Sequence, residues 1–310
     1  MKNTSVGGQA LIEGVMMRGT QGIATAVRKP NGEIIVNVEE SIPYSKRNIF
    51  LGLPIIRGFV SLIESLIIGM RSLNYSASFF EEYDEPSKFD KWFQNIFREK
   101  TESVIMVITL SISLVIATLL FFIFPTFVAN IFKKLSVYDS IILNVIEGVI
   151  RVIVFLMYLF LIGNMEDIKR VFQYHGAEHK TIFCYENSSE LTPENAQKFT
   201  RLHPRCGTNF LFLVMIISII LFSLTGWGNI WERISYRIIL LPVVSGVTYE
   251  LIKWVGKSNN FLSKIISYPG LMLQKITTRE PDYKQLEVAI RALKGAEGIN
   301  REQDESREVL

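Results

Sequence analysis

All three histidines of this chain (His175, His179, His203) and both cysteines (Cys184, Cys206) lie within residues 174–209, YHGAEHKTIFCYENSSELTPENAQKFTRLHPRCGTN. The remainder offers neither imidazole nor thiol. His175 and His179 are four residues apart, a spacing that on a helix puts both rings on one face and lets them share a metal. His203 and Cys206 flank Pro204, whose bend can turn an imidazole and a thiol to the same point. Three imidazoles and a thiolate would complete a tetrahedral zinc site, whereas three protein ligands and a water would leave a catalytic position open. His175-Gly176-Ala177-Glu178-His179 also fits the inverted zinc-protease pattern HxxEH, in which Glu178 would be the general base. The plainer alternative is that these side chains cap, pack and hydrogen-bond, as isolated histidines and cysteines usually do.

Two further groups of residues invite a chemical reading. Residues 7–19, GGQALIEGVMMRG, are punctuated by glycine and carry only Glu13 and Arg18 as charges. The glycines would let backbone amides approach an anion, and Glu13 could serve as a ligand or an acid–base group. A tight packed turn accounts for them equally well. Glu147 and Arg151, four apart, fall inside an apolar run, as do Arg237 and Glu250 in another. Ionisable groups inside a bilayer are costly and usually face a bundle interior or a cavity, so they mark either a polar pocket or ion pairs that hold helix register.

The elements that must position these residues are largely apolar. Of 310 residues, 49% are hydrophobic, and mean hydropathy is +0.27. Runs at 104–124, 141–163, 210–224 and 234–255 approach or exceed the ~18 residues that suggest a membrane span. Segment 49–73 is apolar but carries Arg57 and Glu64, and reads as an amphipathic or re-entrant helix, with crossing left open. Residues 23–29 and 33–39 alternate around Pro30-Asn31-Gly32, a hairpin signal. Segment 81–102 is charged and expected in solvent. The stretch 164–208 reads as a loop, with a short helix starting at Thr192-Pro193. A helix of about three turns is expected from Pro281, with Leu286, Ala289, Ile290 and Leu293 on one face. A disordered tail is expected over 295–310.

The fold class expected is therefore mainly α: a polytopic membrane protein of about four transmembrane helices, an amphipathic or re-entrant helix and a small β-hairpin. Its parts would be 1–48, a bundle over 49–255 carrying the His/Cys loop, a helical segment 256–294, and the tail. With four spans, segments 1–48, 74–102 and 164–208 share a side and hold 6, 4 and 6 Lys+Arg, against Lys133, Lys134 and Arg233 opposite. The positive-inside rule puts the basic side, both termini and the histidines in the cytoplasm. There the cysteines would stay reduced. The first forty residues are polar and glycine-rich, so no signal peptide is expected. A net charge of +3, with scattered basic residues, argues against a nucleic-acid partner.

The combination GGQALIEGVMMRG, YHGAEHKTIFCYE, HPRCGT and YPGLMLQKITTREPD resembles the YqhQ-like family of bacterial membrane proteins of unknown function, from about residue 5 to 294. The resemblance implies an inner-membrane protein of a group described as predicted metal-dependent enzymes. Its signature positions here are Glu13, Arg18, His175, Glu178, His179, Cys184, Glu186, His203, Arg205, Cys206 and Thr208. Three functions compete. The first is a metal-dependent hydrolase holding a divalent ion, zinc foremost, on His175, His179, His203 and Cys206. The second is a non-enzymatic accessory factor that binds a membrane-protein partner and uses the cluster as a staple. A transporter is third, although no duplicated halves are visible.

Overall fold

A computed structural model describes residues 6–80, 96–97, 101–134, 139–204, 206–258 and 260–299. Most of the segment expected in solvent at 81–102, the expected tail from residue 300 on, and Arg205 lie outside the described residues, while 295–297, the start of that tail, are helical instead, with Ala296 buried.

The expected hairpin is present as β3 (Ile23–Arg28) and β4 (Ile34–Glu39), joined through Gly32 at φ +88°. The glycine-rich stretch before it forms a second hairpin, β1 (Gly7–Leu11) and β2 (Gly14–Arg18), giving an antiparallel sheet in the order β1-β2-β3-β4. Alternation divides this sheet into two faces. Val15, Met17, Ala24 and Ala26 pack on one side, while Leu11, Met16 and Ile23 meet Ile68 on the other.

The first of those faces is covered by α6 (Glu166–Glu186) and α11 (Tyr283–Glu297), with the short α7 (Pro193–Gln197) alongside. α11 is the helix expected from Pro281, and Leu286, Ala289, Ile290 and Leu293 are all buried. Asp282 starts it with a capping box to Gln285, and Gly298 ends it in the left-handed region. α7 starts as expected, with Thr192 as N-cap and Pro193 in the first turn, and ends at Gln197, short of the end expected near Leu202.

The opposite face meets α2 (Ile56–Ala77), which follows the single turn α1 (Tyr44–Arg47) and packs along α9 (Ile230–Lys257). α2 is amphipathic: Glu64, Gly69 and Ser72 are buried, and Ile63, Leu66, Met70 and Leu73 are exposed. Gly58 meets the backbone of Gly246, and Arg57 pairs with Glu250 at 2.5 Å, leaving Arg237 other partners.

Among the described residues, three helices are long and apolar enough to cross a membrane: Val107–Lys134, Ser140–Ile162 (α5) and Trp231–Lys257. The first does not stop at Pro125. Instead α3 (Thr101–Thr118) passes through a π-turn at Leu119–Ile123 into α4 (Phe124–Lys134). Proline has no N–H for the carbonyl four residues before it, here Phe121. That oxygen is taken by Nε of Arg151, 3.0 Å away, so the helix continues. The span expected at 210–224 is α8 (Gly207–Ser223), an apolar helix of 17 residues. At ~1.5 Å per residue it falls short of the ~30 Å hydrocarbon thickness. α10 (Phe261–Thr277), with Pro269 inside, falls within the helical segment expected at 256–294, ahead of the helix read from Pro281.

The largest departure is at 164–208. What reads as a loop begins with the 21-residue helix α6, which runs unbroken through Gly176. A Cβ at Gly176 would overlap the carbonyl oxygen of Arg279, so the glycine is there for close approach and not to break the helix. Gly176→Ala should therefore destabilise the protein by about 1–3 kcal/mol through that overlap. Gly207→Ala, which meets nothing within 4 Å, should be nearly neutral. Thermal unfolding of both variants in detergent checks the difference.

Candidate metal centre

α6 carries His175 and His179 on one face, with ring centroids 4.5 Å apart. The turn at Pro204 brings in Cys206, which caps the N-terminus of α8. The metal-ligating atoms of His175, His179 and Cys206 all lie within 4.8 Å of one another, and His175 Nε2 is 3.1 Å from the Cys206 sulfur.

The other nitrogen of each ring fixes its tautomer. His175 Nδ1 is 2.9 Å from the Thr277 carbonyl, and His179 Nδ1 is 2.5 Å from the Arg201 carbonyl. A carbonyl oxygen only accepts, so both Nδ1 atoms carry protons, and in the neutral ring each Nε2 presents a lone pair. His179 Nε2 is buried and has no hydrogen-bond partner. One thiol proton cannot satisfy two such lone pairs. A cation satisfies both, and an Nδ1–H bonded to a carbonyl is the outer-shell support that ligating histidines usually have. The sulfur in turn accepts from Thr208 N–H (3.4 Å) and from the Thr208 hydroxyl (3.3 Å), donors suited to a thiolate at a helix N-terminus. These residues therefore fit a divalent metal. His179 is buried, and His175 and Cys206 are partly buried.

His203, expected as a ligand, stands beside this trio and not in it. Gln274 holds its backbone from both sides, donating to its carbonyl and accepting from its N–H, each at 2.7 Å. Its ring packs on Phe183, and Nε2 is 3.6 Å from the buried carboxylate of Glu186. That carboxylate is near enough to pair with a charged ring. Even so, burial dominates and lowers the His203 pKa to about 4, with Glu178 opposing the fall. Burial likewise lowers the pKa of His179, helped by His175.

Glu178 is buried on the neighbouring face of α6, against Gly8 of β1, whose N–H its carboxylate accepts. Burial raises its pKa above the usual carboxylate range, and His175 and His203 oppose that shift. Glu13 is not brought to the trio. It sits at φ +49° in the β1–β2 turn, where its carboxylate pairs with Arg170 and accepts from the Tyr174 hydroxyl at 3.1 Å. Arg18 pairs with Glu64 of α2 at 3.1 Å. Cys184 is buried at the end of α6 and donates to the Glu190 carbonyl at 3.4 Å, a packing role. Glu147 and Arg151 lie in the bundle, away from the histidines.

A family described as "Protein of unknown function (DUF1385)" matches residues 53–298. The chain belongs to this family. It is 34% identical over 290 residues to the uncharacterized protein YqhQ of Bacillus subtilis (strain 168), covering 92% of this chain and 89% of that one. No solved structure matches.

Reasoning from residue types missed the supports of the site: the carbonyls of Arg201 and Thr277, and Gln274. A carbonyl has no signature in a sequence. Gln274 does lie within the family-like stretch YPGLMLQKITTREPD.

The two pKa values of His203 make stability depend on acid. Its unfolded imidazole titrates near ~6.5 and the folded one near 4, so below that upper value the unfolded chain binds more protons. The contribution is intact above pH ~6.5 and falls by about 3 kcal/mol as the pH drops to 4. Urea midpoints should decline across that window, and less steeply in His203→Gln.

Proposed function

We propose that this membrane protein is a metalloprotein whose His175, His179 and Cys206 hold a divalent cation, and that it acts as a metal-dependent hydrolase. The observation that carries this reading is the pair of bare Nε2 lone pairs converging on the Cys206 sulfur, one of them buried and unpartnered. Two imidazoles and a thiolate suit zinc. Zinc bound through three protein ligands supplies Lewis acidity and lowers the pKa of a bound water towards ~7. His175, a partly exposed ligand of the group, is where a substrate would enter. Glu178, buried and held above the ordinary carboxylate range, is suited to keeping and passing a proton beside His175. By the charge distribution of the connecting segments, the centre would face the cytoplasm.

A second reading is favoured by one specific observation. The centre joins three separate stretches, with α6 tied to the 201–206 turn by His179 and to the end of α10 by His175. A metal there could serve as a staple in an accessory factor that binds a membrane-protein partner.

Elemental analysis of protein without a histidine tag should find about one zinc per chain, lost in His175→Ala and in Cys206→Ala. A folded wild-type protein without metal, never exposed to chelator, would overturn both readings. Glu178→Gln separates them: it should keep the metal and its melting temperature but lose the cellular function. Full function in that variant would favour the staple.

A further inference from the structure

The described part of the bundle contains a second cluster at its other end. α8 runs its ~25 Å length between the two. It begins at Cys206 of the metal centre and ends where Asn144 Nδ2 donates to the Gly226 carbonyl at 3.2 Å, beside the start of α5. Just inside that end, the carboxylate of Glu147 receives three guanidinium groups. Arg151 contacts it at 2.5 Å, and Arg233 and Arg237 also pair with it. Glu147, Arg151 and Arg233 are buried.

Among the described residues, the charges of this cluster do not balance. Arginine stays protonated, so three cations face one carboxylate, a surplus of two positive charges within a bundle flanked by apolar helices. The nearest acidic side chains along these helices are committed elsewhere: Asp139 caps α5 through Ile142 N–H, and Glu232 closes the capping box of α9. Nor are the donors exhausted. Each guanidinium has five N–H groups. Arg233 gives a hydrogen bond to Glu147 and otherwise lies on the Trp227 ring, 3.6 Å from its centroid. Arg237 adds a 3.5 Å contact to Thr126, and Arg151 spends one donor on the Phe121 carbonyl.

The depth of the cluster indicates what could balance it. Arg233 and Arg237 lie in the first two turns of α9, and Glu147 two turns into α5. Trp231 and Tyr236 are exposed at the same level, as aromatic side chains at a membrane–water interface usually are. We propose that Arg151, Arg233 and Arg237 form a binding site for a phosphate-class anion, supplied either by the headgroup of an anionic lipid or by a soluble phosphate. Planar guanidinium forks meet phosphate oxygens in paired, charge-assisted hydrogen bonds, and such an anion would neutralise the surplus.

The test is thermal unfolding of the full-length protein in detergent after delipidation. Phosphatidylglycerol, phosphatidylcholine with the same acyl chains, and inorganic phosphate are added separately. Phosphatidylglycerol should raise the midpoint, phosphatidylcholine much less, and Arg233→Gln should need roughly tenfold more lipid for the same shift. Lys133→Gln and Lys134→Gln, exposed at the same end, should respond like wild type. An Arg233-dependent shift with inorganic phosphate would make the occupant a soluble anion, and a shift with phosphatidylglycerol alone would make it a lipid. Equal shifts with both lipids, no shift with any addition, or a full response in Arg233→Gln would overturn the site. If Arg233→Gln does not fold, native mass spectrometry of the wild type decides. Retention of an anionic lipid or phosphate over phosphatidylcholine supports the proposal, and equal or no retention overturns it.

Discussion

The approach of the chain at 277–281 onto α6 is the contact on which the metal centre depends. At Gly176 the carbonyl of Arg279 lies where a side chain would otherwise be, and Arg279 N–H donates to the Phe172 carbonyl at 2.8 Å. That closeness aims the Thr277 carbonyl at His175 and so sets the tautomer of the ring. Glu280 adds ion pairs to Lys180 of α6, at 2.9 Å, and to Arg201, at 3.4 Å. Arg201 in turn donates to Thr278 and offers its carbonyl to His179. The 277–281 segment thus holds one imidazole directly and steadies the Arg201 turn that holds the other, through backbone oxygens that cannot change their role. Rigid outer-shell acceptors of this kind are what keep ligands within the narrow geometry a metal requires.

The rest of the molecule supports that contact from two directions. On one side, the four-stranded sheet and α11 close over α6 with a well-packed apolar core that includes Val15, Met17, Ala177, Leu286 and Leu293. Burial raises the pKa of Glu178 and lowers those of His179 and His203, which favours neutral imidazoles. Neutral imidazoles are the state a metal needs. On the other side, the apolar helices hold Cys206 at the start of α8, where Gly270 of α10 lies against Asn209 without room for a side chain. The histidines thus come from a helix packed on the sheet layer, and the thiol from a helix of the bundle.

Electrostatics divides the bundle by end. Near the metal centre, Lys180 and Arg201 share the carboxylate of Glu280, which is exposed to solvent. At the far end, three arginines share Glu147. Arg151 has a further duty there, because Pro125 leaves the Phe121 carbonyl without its helical donor and Arg151 supplies one. The same side chain therefore mends a helix and belongs to the charged cluster. Removing it should affect the path of the first long helix as well as the charge.

Much of this was legible in residue types and spacing. The clustering of every histidine and cysteine located the centre, and the i, i+4 spacing put His175 and His179 on one face once a helix was granted. Asn31-Gly32 marked the β3–β4 turn, Thr192-Pro193 a helix start, and the period of Leu286, Ala289, Ile290 and Leu293 a buried face. These are local signals, set by backbone preference and by the 3.6-residue repeat. The tertiary structure decided what no local rule reaches. Gly176 and Pro125 each lowered the local case for a helix, yet both helices continue: distant Arg279 needs the glycine for its carbonyl to approach, and distant Arg151 supplies the hydrogen bond that Pro125 cannot. His203 and Glu13 had ligand chemistry but were turned to other partners, Gln274 and Glu186 for one, Arg170 and Tyr174 for the other. Residue type determines which atoms can bind a metal; whether they converge depends on contacts 22 to 102 residues apart, which only the packed chain defines.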